Sequence, residues 1–331
     1  NAAGISARTI DGGEYLSTNS GARTMVVGFA QGGGGGATGV FQITSGSAAV
    51  NFIDLGFAAS ATGAAMINLD GGTLAAERIR QVANTAAYSG ELNFNGGTLM
   101  ALANRTDFLG GLTRANVGTN GAIVDTAGYG VTIGQSLLHD AALGATGDGG
   151  LRKRGDGTLT LTNANTYDGL TVVERGFLRI EDAAGLGATS AGTVVSNDAA
   201  LVVANSITVS GETLTINGRA DNFGALQAVG GSNTWEGQIL LASGSGSSGT
   251  RIGTKSGGQL YLSGQVTNVG GNFDLGIRTD DSPGSKVVFS NPNNVWRSTY
   301  AVVGTAQIDG GDDRLPAGTV LHLGNSVNTG T

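Results

Sequence analysis

Few side chains in this sequence are suited to catalysis or metal binding, and they are scattered along the chain. The 331 residues contain no cysteine and two histidines, His139 and His322, which are 322 − 139 = 183 positions apart. No Gly-x-Ser-x-Gly elbow accompanies a nearby histidine and acid, so a serine nucleophile is not indicated. We predict no catalytic residues and no cofactor other than calcium. The calcium candidates are acidic residues of glycine-rich loops, where solvated turns are the alternative: Asp280, Asp281, Asp309, Asp312 and Asp313.

Aromatic residues recur at one position of a repeated turn. Tyr88, Tyr167, Trp235 and Trp296 are separated by 167 − 88 = 79, 235 − 167 = 68 and 296 − 235 = 61 residues, which are near multiples of one repeat. An aromatic ring has a flat apolar face, so these rings could stack against sugars. The alternative is that they pack against the neighbouring repeat, and the sequence leaves both interpretations open.

Amide and hydroxyl side chains near the later rings could hydrogen-bond sugar hydroxyls. Together with Tyr167, Trp235 and Trp296, the predicted ligand-binding residues are Asn233, Gln238, Asn294 and Tyr300, with Thr299 beside them. A hydrogen bond to a neutral sugar replaces one to water and contributes about 1 kcal/mol. We therefore expect any such binding to be weak and distributed over many contacts.

Charge and composition narrow the class of ligand. Eighteen Lys and Arg against 25 Asp and Glu give a net charge of −7, which disfavours nucleic acid and anionic membranes as partners. No run of about 18 apolar residues is present, so this segment is not expected to insert into a membrane. The absence of cysteine excludes disulfides and thiolate metal sites.

A repeated pattern of short strands must position these residues. In residues 155–180, positions 158–162 alternate polar and apolar residues, 163–169 have turn chemistry, and 170–173 and 177–180 are further strands. The alternation predicts Leu159, Leu161 and Val172 inside and Thr158, Thr160 and Thr162 outside. A slip of one residue would invert this arrangement.

The spacing of near-identical turns gives the length of the repeat. Residues 70–74 (Asp-Gly-Gly-Thr-Leu) and 95–99 (Asn-Gly-Gly-Thr-Leu) are 96 − 71 = 25 positions apart, close to three short strands with their turns. We expect them to form one corner in successive coils. Residues 75–84 and 135–143 have few glycines and could form short helices or lateral loops.

Coils of this length favour a solenoid over a sandwich of hairpins, whose strands recur at shorter spacing. The predicted fold class is all-β, a right-handed parallel β-helix (β-solenoid), with the hand taken from the crossover rule. We expect a single domain over residues 1–331, as a fragment of a larger secreted protein.

The 26-residue segment resembles the passenger-associated repeat of secreted autotransporter-type β-helix proteins. That pattern has a Gly-x-Gly-Thr-Leu-x-Leu strand, an Asn-Thr-Tyr-x-Gly turn and a Thr-Val-containing strand, all present in residues 155–173. Weaker copies occur at 84–92, 233–241 and 290–303. The resemblance implies a secreted, extracellular or cell-surface location.

Three classes of function fit this sequence. The first is a non-catalytic carbohydrate-binding module for plant cell-wall polysaccharide, with xylan as the first candidate, since the length and inferred fold are similar to β-helical xylan-binding modules of glycoside hydrolases. Its partners would be xylan or another β-linked plant glycan, and covalently linked catalytic or other domains. The alternative is a structural stalk or adhesin passenger of an autotransporter-like protein. The second alternative is a β-helical polysaccharide lyase or hydrolase, which fold analogy permits although no catalytic constellation is visible.

Overall fold

A computed structural model describes residues 5–17, 24–28, 37–56, 62–82, 85–244, 249–303, 305–308 and 315–323. These residues are almost entirely β-strand and turn, with one short 3₁₀-helix at Ala141–Leu143. The chain divides into two compact units, Asn1–Gly169 and Leu170–Thr331, which we call unit 1 and unit 2. The expected single domain over residues 1–331 stays a prediction.

Unit 1 is a stack of parallel strands. Thr73 lies opposite Thr98 in the next coil, and Gly63 lies opposite Tyr88, so one coil here takes 98 − 73 = 25 residues. The strands of unit 1 are β1 (Ile5–Ser17), β2 (Thr24–Val27), β3 (Ala37–Leu55), β4 (Gly63–Leu69), β5 (Thr73–Gln81), β6 (Tyr88–Phe94), β7 (Thr98–Ala101), β8 (Arg105–Gly110), β9 (Arg114–Val117), β10 (Ala122–Asp125), β11 (Val131–Ile133), β12 (Leu137–His139), β13 (Leu151–Arg154) and β14 (Thr158–Leu161).

Unit 2 is also built from parallel strands, which are mostly shorter. They are β15 (Thr171–Val173), β16 (Gly176–Ile180), β17 (Thr193–Val195), β18 (Ala199–Ala204), β19 (Thr208–Val209), β20 (Leu214–Ile216), β21 (Leu226–Val229), β22 (Ser232–Trp235), β23 (Ile239–Leu241), β24 (Arg251–Lys255), β25 (Gln259–Leu262), β26 (Val266–Asn268), β27 (Leu275–Thr279), β28 (Lys286–Phe289), β29 (Ser298–Val303), β30 (Ala306–Ile308) and β31 (Val320–Leu323).

Each full coil of unit 2 contributes one strand to each of three parallel ladders. One ladder runs β15–β17–β20–β23–β26, and a second runs β16–β18–β21–β24–β27–β29–β31. The third is a five-stranded sheet, β19–β22–β25–β28–β30. The predicted all-β parallel β-helix with three strands per coil is therefore confirmed.

Alternation along the strands fills the interior with aliphatic side chains. In β14, Leu159 and Leu161 are buried while Thr158 and Thr160 are half-buried, as the period-two pattern predicts. In β15 the alternation is opposite to our prediction, because Thr171 and Val173 point inward and Val172 does not. Thr171 is accommodated because its hydroxyl donates to the backbone carbonyl of Leu186 at 3.3 Å.

Glycines and amides let successive corners stack closely. The two Gly-Gly turns form one corner in adjacent coils as predicted, and a Cβ at Gly97 would lie 2.6 Å from the carbonyl oxygen of Gly71. Along the same corner Asn120 Nδ2 donates to Asn95 Oδ1 at 3.1 Å, and Asn95 Nδ2 donates to Asp70 Oδ1 at 3.3 Å. At these corners, side-chain hydrogen bonds thus connect successive coils, as backbone hydrogen bonds do along the strands.

The helix or lateral loop expected at residues 75–84 is wrong for residues 75–81. They belong to β5, because Leu74, Ala76 and Ile79 bury their side chains in the interior. The second segment, 135–143, contains β12 and then the short 3₁₀-helix, so the expectation there is correct only at its end.

The inward and outward positions of β14 can be tested with two neighbouring substitutions. Leu161→Asp should lower the free energy of unfolding by several kcal/mol, because it places an unpaired carboxylate in the interior. Thr160→Asp, on the outer side of the same strand, should change it by less than about 1 kcal/mol. Equal midpoints of urea unfolding for the two variants would contradict the assigned register.

Candidate functional site

The turn of the repeat motif is hydrogen-bonded to a strand of the preceding coil. The side-chain oxygen of Asn165 accepts the backbone N–H of Leu137 at 2.8 Å, and the N–H of Thr166 donates to the carbonyl of Leu137 at 2.9 Å. Both backbone groups of Leu137 in β12 are thereby satisfied by two consecutive motif residues. We call this arrangement the Asn clamp.

The described residues of unit 2 contain the same clamp twice. Asn233 Oδ1 accepts the N–H of Ile207 at 3.2 Å, and the N–H of Thr234 donates to the carbonyl of Ile207 at 2.9 Å.

The third copy repeats this geometry around a different strand. Asn294 Oδ1 accepts the N–H of Val266 at 2.9 Å, and Val295 donates its N–H to the carbonyl of Val266 at 2.8 Å. In all three copies the clamping asparagine is at least nine-tenths buried.

The aromatic residue two positions after the clamping asparagine lies in the interior. Tyr167 and Trp235 are 0% exposed, and Trp296 is 3% exposed. The indole N–H of Trp296 donates to Thr299 Oγ1 at 2.7 Å, and its ring packs 5.5 Å from that of Phe289. Rings buried in this way have no free face, so the sugar-stacking interpretation is wrong for them and the packing alternative is correct.

The aligned tyrosine of unit 1 is buried as well. Tyr88 is 4% exposed, and its hydroxyl donates to the carbonyl of Val27 at 3.3 Å. Burial raises the pKa of Tyr88 to about 12. The asparagine of that weaker copy, Asn84, lies outside the described residues.

The other predicted sugar-binding residues do not gather into one site. Gln238 is exposed and donates to Gln265 Oε1 at 3.0 Å, and Tyr300 stacks on His322 with ring centres 4.2 Å apart. Asn233 and Asn294 serve as clamps. Asn294 and Trp296 border an open groove of about 720 Å³, but its exposed lining comes from other residues, including Asn272, Asn293, Val295 and Arg297.

The clamp of unit 1 creates a cluster of ionisable side chains that we did not predict. His139 Nδ1 lies 3.0 Å from Asp148 Oδ2 and 3.5 Å from Asp168 Oδ2, and His139 Nε2 lies 3.3 Å from the carbonyl oxygen of Gly144. His139 follows Leu137 by two residues and Asp168 follows Asn165 by three, so the clamp brings them together. The register of the clamp is the signal that could have revealed this cluster.

Asp148 is the buried centre of the cluster. Its Oδ1 accepts the N–H groups of Gly150 at 2.8 Å and Gly169 at 2.9 Å, and its Oδ2 accepts the N–H of Asp168 at 2.9 Å as well as His139. The hydrogen bond to Asp148 raises the pKa of His139 above its ordinary 6.5, and the charge of Asp168 acts in the same direction.

This cluster offers a metal ion three ligand atoms within 4.8 Å of one another. Both oxygens of Asp148 are already occupied by backbone donors, so an ion would have to displace the hydrogen bond to His139. We interpret the cluster as an electrostatic cross-link between β12, the glycine turn around Asp148 and the motif turn.

Of the calcium candidates, Asp280 has its carboxylate engaged by protein donors. It accepts the hydroxyl of Ser282 at 2.9 Å, the hydroxyl of Ser285 and the N–H of Ser256 at 2.5 Å. Burial raises the pKa of Asp280, but these hydrogen bonds outweigh it and hold the pKa below its usual value. Asp281 is exposed, while Asp309, Asp312 and Asp313 lie outside the described residues. Calcium binding stays a prediction.

Two further ionisable side chains, Lys153 and Glu212, are buried, which the sequence did not indicate. Burial lowers the pKa of Lys153 to about 8, and its ammonium group donates to Thr126 Oγ1 and to the carbonyls of Arg154 and Gly155 at 2.6–3.0 Å. Burial raises the pKa of Glu212, which accepts the hydroxyl of Thr193 at 2.7 Å. Their contacts are with coil backbone and hydroxyl groups, which is typical of structural roles.

This chain is similar to a described family and to a known relative. Residues 151–180 match the family described as Passenger-associated-transport-repeat. A relative, the Adhesin BmaC autotransporter of Brucella suis biovar 1 (strain 1330), is 28% identical over 165 residues, which are 48% of this chain and 5% of the relative. No solved structure matches the chain.

These similarities confirm the resemblance to autotransporter-type passenger β-helix proteins. The chain is secreted or located at the cell surface, as the resemblance implied. In the described part of the chain, no helix is long and apolar enough to cross a bilayer.

Removing a clamp should destabilise the fold without touching the surface. Asn165→Ala leaves the N–H of Leu137 buried without its acceptor, so the free energy of unfolding should fall by about 1–3 kcal/mol. Asn163→Ala makes the same substitution at an exposed position of the same turn, where the side chain donates to the carbonyl of Gly134 at 3.2 Å and water can replace that bond. This matched control should change the free energy by less than about 0.5 kcal/mol. Identical urea midpoints for both variants would show that the clamp contributes nothing.

The histidine cluster should make stability depend on pH. Because the folded pKa of His139 is raised, its contribution is fully present below the unfolded pKa of 6.5 and is lost as pH rises through the folded pKa. The difference in Tm between wild type and His139→Asn should therefore be larger at about pH 5.5 than at about pH 9. His322→Asn removes the other imidazole as a control. A difference in Tm that is the same at both pH values would disprove the cross-link.

Proposed function

We propose that this chain is a non-catalytic passenger segment of a larger autotransporter-like secreted protein, with a structural and adhesive role. The observation that carries the proposal is the match of residues 151–180 to the passenger-associated repeat, in the same segment whose turn forms the Asn clamp. The motif is thereby tied to the stacking of coils.

The relative is named an adhesin, and the chain spans only 5% of its length. We extend the adhesive role to this chain because its parallel ladders place outward-facing polar side chains side by side in successive coils, as with Thr132 and Thr160. Such a surface suits attachment through several weak contacts. The length of the relative also supports covalent linkage to further segments.

The carbohydrate-binding hypothesis for xylan has lost its main support. Its proposed aromatic contacts, Trp235 and Trp296, are inside the coils, and the asparagines beside them are hydrogen-bonded to backbone. The enzymatic alternative rests on fold analogy alone. Lys153 and Glu212 have shifted pKa values, but Lys153 donates to the carbonyl of Gly155 and Glu212 accepts the hydroxyl of Thr193, which are contacts within the fold.

Attachment and turnover can be measured on the same purified chain. Beads coated with the full chain should attach to cultured animal cells more than beads coated with heat-unfolded chain. The chain should release no reducing ends from xylan, cellulose or pectin.

Three results would contradict this proposal. Attachment no greater than that of the unfolded control would refute the adhesive role. Release of reducing ends that scales with protein concentration and survives repurification would show an enzyme. Retardation in a xylan gel with no attachment to cells would favour a carbohydrate-binding module.

A further inference from the structure

A loop at residues 218–224 folds against the outer side of unit 2 and is held there by Asp221. Asp221 Oδ1 accepts the N–H of Phe223 at 2.8 Å and the side-chain amide of Gln227 at 2.8 Å, while Oδ2 accepts the ammonium group of Lys255 at 2.5 Å. The guanidinium group of Arg251 donates to the backbone carbonyl of Asn222 at 2.9 Å. The loop is therefore fixed to β21 and β24.

Four cationic side chains converge on this loop. The ammonium group of Lys255 lies 4.7 Å from the ring centre of Phe223, and the guanidinium carbon of Arg278 lies 5.3 Å from the same ring. Arg219 belongs to the loop itself, and its charge, like that of Arg278, acts on Arg251. We call Arg219, Arg251, Lys255 and Arg278, with Asp221 and Phe223, the basic platform.

The basic platform carries an excess of positive charge in an acidic chain. Its four cations and one carboxylate give 4 − 1 = +3, whereas the whole chain has −7, so the remainder of the chain has −7 − 3 = −10. Burial, with the neighbouring charges of Arg219 and Arg278, lowers the pKa of Arg251 to about 10. Like charges held together in this way are stabilised by an anion.

Part of the donor capacity of the platform is unused. Among the described residues, neither Arg219 nor Arg278 forms an ion pair, and the Nε–H of Arg278 is buried without a hydrogen-bond partner. Both side chains are partly exposed, so a ligand in solvent can reach them. A guanidinium group presents paired N–H donors that match the oxygens of a carboxylate or sulfate.

The cations also lie on neighbouring coils. Arg251 and Lys255 are on β24, and Arg278 is on β27, the next strand of the same ladder, where Gly253 lies opposite Arg278. Adjacent strands are about 4.8 Å apart, so the cations follow one another across the coils. A polymer with an oxyanion on successive sugars can engage several of them at once.

We propose that the basic platform binds the sulfate or carboxylate groups of an acidic polysaccharide. Arg219, Lys255 and Arg278 are partly exposed, and Arg251 is buried beneath them, where it donates to the loop at 218–224. The groove beside Trp296 carries no such charge excess. This site does not depend on the proposed adhesive role, because its binding can be measured without cells.

Heparin and polygalacturonate are suitable probes, one sulfated and one carboxylated. At low salt the wild-type chain should bind at least one of them, and Arg219→Gln/Arg278→Gln should bind it at least about tenfold more weakly. Arg8→Gln/Arg114→Gln removes two exposed arginines of unit 1 as the matched control, and it should retain wild-type affinity. If melting curves show that the double variant is unfolded, Arg219→Gln alone replaces it, with an expected loss of about threefold.

Several results would overturn the proposal. They are failure of the wild type to bind either polymer, and equal affinities for the platform variant and the unit 1 control. Competition by inorganic sulfate at the same molar concentration as the sulfate groups of heparin would show a site for a free anion. Equally tight binding of duplex DNA, with the same dependence on Arg219 and Arg278, would show that the platform does not select polysaccharide.

Discussion

A coiled chain must satisfy its backbone hydrogen-bonding groups at the turns as well as in the strands, and this requirement governs the structure. Parallel ladders pair the strands, but each turn interrupts a ladder and leaves buried N–H and carbonyl groups behind. The Asn clamp meets the need at Leu137, Ile207 and Val266 by combining an amide side chain with the next backbone N–H. The buried aromatic ring that follows fills the interior behind the clamp.

The fold could be predicted from the sequence because its signals are local and repeated. Alternation in residues 158–162 and the 25-residue recurrence of the Gly-Gly corner identify strand, coil length and stacking together. The side on which Val172 lies could not be predicted, because Thr171-Val172-Val173 could place either Val172 or its two neighbours in the interior. Thr171 can lie inside because its hydroxyl donates to the buried carbonyl of Leu186. Residues 75–81 lack the turn glycines seen elsewhere, and only tertiary burial makes them a strand.

The candidate site was harder to predict. The repeat spacing gives the position of an aromatic ring along the chain, but it does not say whether the ring points into the interior or into solvent. Trp235 and Trp296 recur at the expected interval and yet lie inside, where the clamp places them. His139 and Asp168 are 168 − 139 = 29 positions apart and meet through the clamp register, and Asp148 joins them through its own hydrogen bonds. The basic platform likewise depends on a loop whose fold is set by one carboxylate, Asp221. Both clusters therefore depend on contacts between side chains of different strands and turns, which the sequence pattern does not show.

Residue-resolved amide hydrogen exchange tests the clamp most directly. In Asn165→Ala, Asn233→Ala and Asn294→Ala, we expect faster exchange at the paired residue, which is Leu137, Ile207 or Val266 respectively. The expected acceleration is about tenfold, because one buried hydrogen bond of roughly 1–1.5 kcal/mol is lost. Amides two coils away should keep their protection. Unchanged protection at all three paired residues would contradict the claim that these asparagines hold the coils together.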